Sequence, residues 1–172
     1  MAEHIRYAFG QSSLGEFLAA SSEQGVVVFE FVDDKGRRVQ RLRERFPDAE
    51  LAEDAAGLKD VVLALGEAVD HPERPSPLPL DVRGTDFQKR VWEILRRIPA
   101  GETTYYGAVA AELGSGDARE ATEAIADNPI AILIPCHRVI KKDGSLSGYR
   151  AGVRRKRALL SREQQASPFR LK

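Results

Sequence analysis

Pro135-Cys136-His137-Arg138-Val139-Ile140 decides the reading of this chain. The stretch holds the only cysteine in 172 residues, followed directly by a histidine. The apolar run Ala131-Ile132-Leu133-Ile134 leads into it and reads as a buried strand, and a loop with Lys141, Lys142 and Gly144 follows. A single cysteine makes no disulfide within the chain. Most free cysteines are small buried hydrophobes. A thiol between an apolar run and a charged loop, with His137 beside it, is also a candidate nucleophile. The thiolate is the reactive form, and a neighbouring base or positive charge raises its share near neutral pH.

Upstream of this stretch the sequence reads as helical. Thr85-Asp86-Phe87-Gln88 has capping-box form, with Thr85 as the cap and Gln88 at the third helical position. Phe87, Val91, Ile94, Leu95 and Ile98 continue as an apolar stripe that Pro99 stops. A second helix is expected near Tyr105 to Leu113, closing at Gly114, and a third from Asp117 to just before Asn128-Pro129. Two helices joined by a short turn have the form of a helix-turn-helix, which seats one helix on DNA, though many helical domains share that pattern.

The first half reads as mixed. Gly15 to Ala20 and Gly25 to Phe31 look like strands joined by the polar turn Ser21-Ser22-Glu23-Gln24. Lys35 to Phe46 reads as a charged helix and Leu58 to Val69 as a second helix. Four prolines between His71 and Pro79 mark a linker, and Leu78 to Val82 could add a strand. The expected division is 1–82 and 83–172, with the linker at about 71–79.

Length and composition set bounds. A chain this long can bury about 70% of its unfolded surface. Its 26 basic and 26 acidic residues cancel, so bulk charge gives no pointer to nucleic acid, and any such contact needs a local patch. The sequence has no apolar stretch long enough for a membrane span, and Met1-Ala2-Glu3-His4 does not open a signal peptide. One cysteine and no export signal point to a reducing cytoplasm. With one cysteine and with His4 and His71 scattered, no metal or other cofactor is expected.

The hexapeptide resembles the active-site motif of the O6-alkylguanine-DNA alkyltransferases, the methylated-DNA–protein-cysteine methyltransferases. The resemblance runs from Gly84-Thr85-Asp86-Phe87-Gln88 through Val91-Trp92, Ile98-Pro99-Ala100-Gly101, Tyr106 and Asn128-Pro129 to the cysteine motif. It ends with Gly148-Tyr149, Gly152, Lys156 and Leu159 to Glu163, covering about half the chain, while the first half resembles the family's amino-terminal domain only loosely. It implies a small ribonuclease-H-like α/β domain followed by a mainly helical domain with a winged helix-turn-helix motif. It also implies a monomer that irreversibly moves a methyl or larger alkyl group from O6 of guanine in double-stranded DNA, with O4 of thymine as a further target.

The resemblance assigns roles residue by residue. Cys136 would be the nucleophile, His137 its base acting through a water, and Glu163 the carboxylate that orients His137. Tyr106 would protonate the departing base, supported by Lys156. The carbonyls of Cys136 and Val139 would read the guanine edge, Gly148 and Tyr149 would line the rim with Pro135, and Asn128 would brace the turn. On DNA, Arg119 would fill the vacated stack, on a helix with Ala121 and Thr122, while Arg138 would add a further DNA contact. Read alone, Glu163 is a solvated helix residue, Tyr106 a core tyrosine and Asn128-Pro129 a helix-end turn.

The product would be a thioether, with no carbonyl for water to attack, so transfer would occur once per chain. Glu120 and Glu123 depart from the small residues usual in the family's recognition helix. Two carboxylates facing phosphate oppose binding, so weakened duplex affinity is expected. Lys141-Lys142 and Arg154-Arg155-Lys156-Arg157 read equally as a DNA patch or as solvated charge. Other readings remain open: the same cysteine chemistry on free O6-benzylguanine-type bases, a non-enzymatic sensor of alkylated DNA, and a thiol hydrolase using Cys136, His137 and Glu163.

Overall fold

The computed structural model describes residues 2–114, 118–146 and 148–166. It divides into two compact units, residues 1–70 with 76–82 and residues 71–75 with 83–172.

The first unit is built on four strands: β1 (Glu3–Ser12), β2 (Gly15–Ser21), β3 (Val26–Phe31) and β4 (Ala49–Glu53). Their order is β3-β2-β1-β4, antiparallel except for β4, which runs parallel to β1. Side chains alternate across a strand, so β1 sends Ile5 and Tyr7 to one face and Ala8 and Gly10 to the other. Helix α1 (Lys35–Arg45) closes the first face: Leu42 and the following Phe46 join Ile5, Tyr7, Leu18, Ala20 and Val28 in one buried cluster. Helix α2 (Lys59–Asp70) lies on the second face, where Phe17 and Val62 close over Gly10 so tightly that a Cβ there would stand 2.5 Å from the Phe17 ring. Phe17 and Phe29 meet edge to face at 5.1 Å on that side.

Three sequence expectations change here. β1 and β4 were not foreseen. The stretch 78–82 pairs with β3 only at an isolated bridge, Leu80 to Val26, rather than forming a strand. Gly25 permits that approach, because a Cβ there would lie 2.5 Å from the Pro79 carbonyl oxygen.

The second unit is mainly helical. Helix α3 (Asp86–Arg96) starts at the expected capping box: Thr85 Oγ1 accepts from the Gln88 amide at 3.0 Å, and the Gln88 side chain accepts from the Thr85 amide at 2.9 Å. Val91, Trp92, Ile94 and Leu95 are its buried residues. The two-residue strand β5 (Thr104–Tyr105) leads into α4 (Tyr106–Glu112), and Gly114 follows at φ 71°, the left-handed conformation common after a helix end. Helix α5 (Ala118–Ala126) comes next. Asp117, the expected start of this helix, lies outside the described residues. Trp92 Nε1 donates to the Ala124 carbonyl at 2.8 Å and ties α3 to α5. A single 3-10 turn (Cys136–Arg138), the strand β6 (Val139–Ile140), parallel to β5, and helix α6 (Val153–Ala166) complete the unit.

The run Ala131–Ile134 is not the expected strand. The Leu133 amide donates to the Ala131 carbonyl at 2.7 Å, and the Ile134 amide donates to the Ile130 carbonyl at 3.1 Å, so the chain turns back on itself. The central Ile132 has φ 69°, the only non-glycine residue at positive φ among those described. A β-branched residue in that region is strained by roughly 1–3 kcal/mol and persists only where the surroundings hold it. The run is apolar because the turn is buried: Ile130 and Ile134 are fully enclosed.

Candidate active site

The turn at 130–134 delivers Cys136 into the interior of the second unit. Asn128 holds it: Nδ2 donates to the Ile134 carbonyl at 2.7 Å and Oδ1 accepts from the Ile130 amide at 3.0 Å. The Cys136 amide is bonded to the Ile134 carbonyl at 2.8 Å, and the cysteine is 9% exposed. Burial pushes its thiol up from the ordinary value, while the Asn128 side chain and the charges of Arg150 and Lys156 pull it down.

His137 is fully buried, with Nε2 3.2 Å from Glu163 Oε2. Both ring nitrogens are buried without a hydrogen-bond partner among the described residues, so the approach to Glu163 is close but not aligned as a hydrogen bond. Burial drives the imidazole toward its neutral form, against the pull of Glu163. For Glu163 burial works to raise the pKa, but hydrogen bonds and charge from His137 and Arg138 outweigh it, and the carboxyl sits below its ordinary value. The free cysteine, the histidine and the carboxylate assigned by resemblance are therefore gathered in one buried cluster.

Lys156 is also fully buried. Its ammonium donates to the Val139 carbonyl and lies 5.7 Å from the Tyr106 ring centroid and 5.8 Å from that of Tyr149. Burial lowers its pKa, and the neighbouring Cys136 opposes this. Tyr106 and Tyr149 are both raised, first by burial and then by Cys136. The Tyr149 hydroxyl is buried with no hydrogen-bond partner among the described residues. Gly148 sits by Tyr106, whose hydroxyl would be 3.5 Å from a Cβ placed there. Pro135 is buried and precedes the 3-10 turn, and the Val139 amide donates back to the Cys136 carbonyl. The Cys136 and Val139 carbonyls thus each accept one internal hydrogen bond and keep a second lone pair.

Beside this cluster a cavity of about 680 Å³ opens between Tyr105, Tyr106, Ala108, Thr122, Lys141 and Gly148. It joins the start of α4, the exposed side of α5 and the lysine loop. Lys141, expected only as part of a charged patch, lines this cavity together with the exposed ring of Tyr105.

Two of the residues expected to contact DNA are buried. Arg138 is buried, and its guanidinium is used internally: Nε donates to both oxygens of Glu163, Nη1 to the Ile98 carbonyl at 2.6 Å, and Nη2 to the Pro72 carbonyl at 3.2 Å and to Glu163. Ala121 is fully buried in the packing of α5. Arg119, Glu120, Thr122 and Glu123 are on the exposed side of that helix, with Thr122 Oγ1 donating to the Ala118 carbonyl at 2.8 Å.

The balanced bulk charge also needs revision. The second unit carries 18 Lys and Arg against 11 Asp and Glu, a net of +7, and the first unit carries 8 against 15, a net of −7. The zero total conceals a basic unit around Cys136.

Comparison with known proteins gives a consistent result. Residues 86–165 match the model of the 6-O-methylguanine DNA methyltransferase DNA-binding domain. The chain is 42% identical over 162 residues to the bifunctional transcriptional activator/DNA repair enzyme Ada of Escherichia coli, covering 94% of this chain and 46% of that protein. It is 54% identical over 90 residues to the methylated-DNA–protein-cysteine methyltransferase of Mycobacterium tuberculosis, covering 52% and 54%. It thus spans about half the length of these curated relatives. The inducible methylated-DNA–protein-cysteine methyltransferase of Bacillus subtilis is 36% identical over 156 residues, covering 88% of this chain and 86% of that one. Among solved structures, M. tuberculosis OGT in complex with DNA superposes with a TM-score of 0.77 at 36% identity, over 95% of this chain and 96% of that one. On its 36% identity over nearly the full length of the B. subtilis protein, the chain belongs to the methylated-DNA–protein-cysteine methyltransferase family.

Proposed function

We propose that this protein repairs double-stranded DNA by moving an alkyl group from O6 of guanine onto Cys136, once per chain. The observation that carries the reading is the convergence of the buried Cys136 turn, the His137–Glu163 pair and Lys156 within the basic second unit. The Cys136 sulfur attacks the alkyl carbon, a carbon–sulfur bond forms and the carbon–oxygen bond breaks. The thiol proton goes to His137, and the Tyr106 hydroxyl supplies a proton to the departing guanine. Lys156, held by Val139, stabilises the tyrosinate that this leaves. The product thioether has no carbonyl, so water does not regenerate the thiol.

The target base must leave the stack to reach a buried thiol. Arg119 and Thr122 on the exposed side of α5 would meet the duplex, with α4 and α5 forming the helix-turn-helix of a winged motif. Pro135, Val139, Gly148 and Tyr149 would frame the base. The first unit would be a ribonuclease-H-like domain, with boundaries at 1–82 and 83–172, and the protein would act as a monomer.

The test is intact-protein mass spectrometry after mixing with duplex DNA containing O6-methylguanine, with Cys136→Ala beside it. One added methyl on Cys136, saturating at one per chain and absent from the variant, supports the reading. No gain from DNA together with labelling by free O6-benzylguanine would favour the free-base alternative, for which the exposed Glu120 and Glu123 are the reason. No gain from either would overturn the transferase reading.

A further inference from the structure

We propose that Arg138 is a positioning residue for the reaction: its guanidinium occupies both oxygens of Glu163, so the carboxylate orients His137 without fixing it as imidazolium. The inference rests on the alkyl-transfer reading of Cys136 and deepens it.

The geometry is specific. Arg138 Nε lies 3.1 Å from Oε1 and 3.0 Å from Oε2 of Glu163, and Nη2 closes on Oε2. His137 Nε2 approaches the same Oε2 at 3.2 Å. One carboxylate therefore faces two partners, the guanidinium and the imidazole, and the guanidinium takes the larger share. The guanidinium is itself fixed, because the Ile98 carbonyl beyond α3 accepts from Nη1 and the Pro72 carbonyl from Nη2. Arginine stays protonated when buried, and its planar fork matches a carboxylate, so this is a permanent arrangement.

The consequence is electrostatic. A buried carboxylate facing His137 alone would favour imidazolium, and an imidazolium takes no proton from a thiol. Burial opposes that charging most, and a fixed positive charge on the carboxylate offsets a further part of the pull and leaves the imidazole neutral beside it. The charged groups acting on His137 are Glu163 and Lys156 from α6 and Arg138 from its own turn. Both cations oppose the charging of His137, in the same direction as its burial. Lys156 is committed to the Val139 carbonyl, so Arg138 is the cation that meets the carboxylate directly.

The experiment follows the rate of Cys136 labelling by free O6-benzylguanine from pH 5 to 9 by intact mass, in the full chain. In the native protein the rate is expected to fall only on the acid side. For Arg138→Met the midpoint is expected to rise by about one unit, the effect of one opposing charge nearby. Glu163→Gln is expected to move it the other way. Arg138→Lys, which keeps the charge and loses the fork, is expected to stay near the native midpoint at a reduced rate. A lower melting temperature with an unmoved midpoint in Arg138→Met would assign the arginine to structure alone and overturn the proposal. Should Arg138→Met not fold, NMR titration of His137 in the native protein decides: a neutral imidazole at pH 6 supports the proposal, and an imidazolium at pH 7 overturns it. That titration needs no turnover, so it separates failure here from failure of the transferase reading, in which the native chain takes up no benzyl group.

Discussion

Asn128 and Ile134 are joined by a hydrogen bond of 2.7 Å that closes the turn in front of Cys136. The same Asn128 side chain accepts from the Ile130 amide, so one residue ties both ends of the segment containing Ile132 at φ 69°. The turn is strained and its backbone groups are enclosed, so it holds only while Asn128 pairs with it. Asn128→Ala is expected to cost about 2–3 kcal/mol, from the buried Ile130 amide left unpaired, the Ile134 carbonyl reduced to its bond from the Cys136 amide, and a turn free to relax. Chemical denaturation measures the loss, and labelling of Cys136 should slow by more than tenfold. A stability unchanged within 0.5 kcal/mol would contradict this account of the turn (roughly the spread of neutral surface changes).

The chain's single tryptophan tests a second brace. Trp92 is almost fully buried, and its Nε1 donates to the Ala124 carbonyl across the α3–α5 contact. Trp92→Phe keeps most of the apolar volume and leaves that carbonyl unpaired. A loss of roughly 2–3 kcal/mol is expected, the sum of one unsatisfied buried acceptor and a small cavity. Because α5 carries Arg119 and Thr122, the variant should lose duplex affinity along with its melting temperature. A variant as stable as the native chain would show that the indole hydrogen bond contributes nothing net.

Acid should unfold the second unit through two named groups. His137 is held below its ordinary value in the folded chain, so the unfolded chain binds the extra proton first. Its contribution is intact above the unfolded pKa of about 6.5 and is lost as pH falls toward the folded value. Glu163 is likewise depressed, and its contribution is intact above about 4.3 and lost as pH falls further. Stability is therefore expected to decline in two stages, beginning near pH 6.5. His137→Gln should remove the first stage and shrink the second, because His137 is also one of the groups that lower Glu163. Denaturation midpoints measured from pH 4 to 8 check this, and a flat profile down to pH 5 would count against the buried neutral histidine.

Much of the fold follows directly from sequence pattern, and the exceptions have physical causes. Thr85 and Gln88 announce α3 because a reciprocal cap needs those two side chains at that spacing. β1 does alternate Ile5, Tyr7 and Phe9 with polar or small partners, but His4, Arg6 and Gly10 dilute the apolar signal. β4 is short, polar and one-sided, and its pairing with β1 is non-local, so no window of sequence contains it. The apolar run before Cys136 looked like a strand because burial alone produces that composition; the turn is decided by Asn128, two residues upstream of Ile130. At the site, Cys136, His137 and Glu163 could be grouped only through the family resemblance, since 26 residues separate the histidine from the carboxylate. Arg138 reads from sequence as a DNA contact because an arginine beside a proposed DNA site usually faces solvent. In the structure it is buried and bonded to the carboxylate assigned to His137.

Glu120 and Glu123 give the last test. Both are exposed on α5, flanking Arg119 and Thr122, on the helix proposed to meet DNA. The second unit is basic overall, so these two carboxylates act locally against the attraction supplied by its other side chains. A carboxylate about 4 Å from a phosphate opposes binding by roughly 1 kcal/mol in water, so each replacement by alanine should tighten duplex binding by up to about fivefold. The gain should shrink as salt rises beyond 0.15 M, where the screening length is about 8 Å. Gel shifts on undamaged and O6-methylguanine duplexes should show the same gain, because phosphate repulsion is blind to the lesion. Binding that improves little in the double variant would place the DNA contact away from these carboxylates, and would remove the reason for expecting a weakened duplex grip.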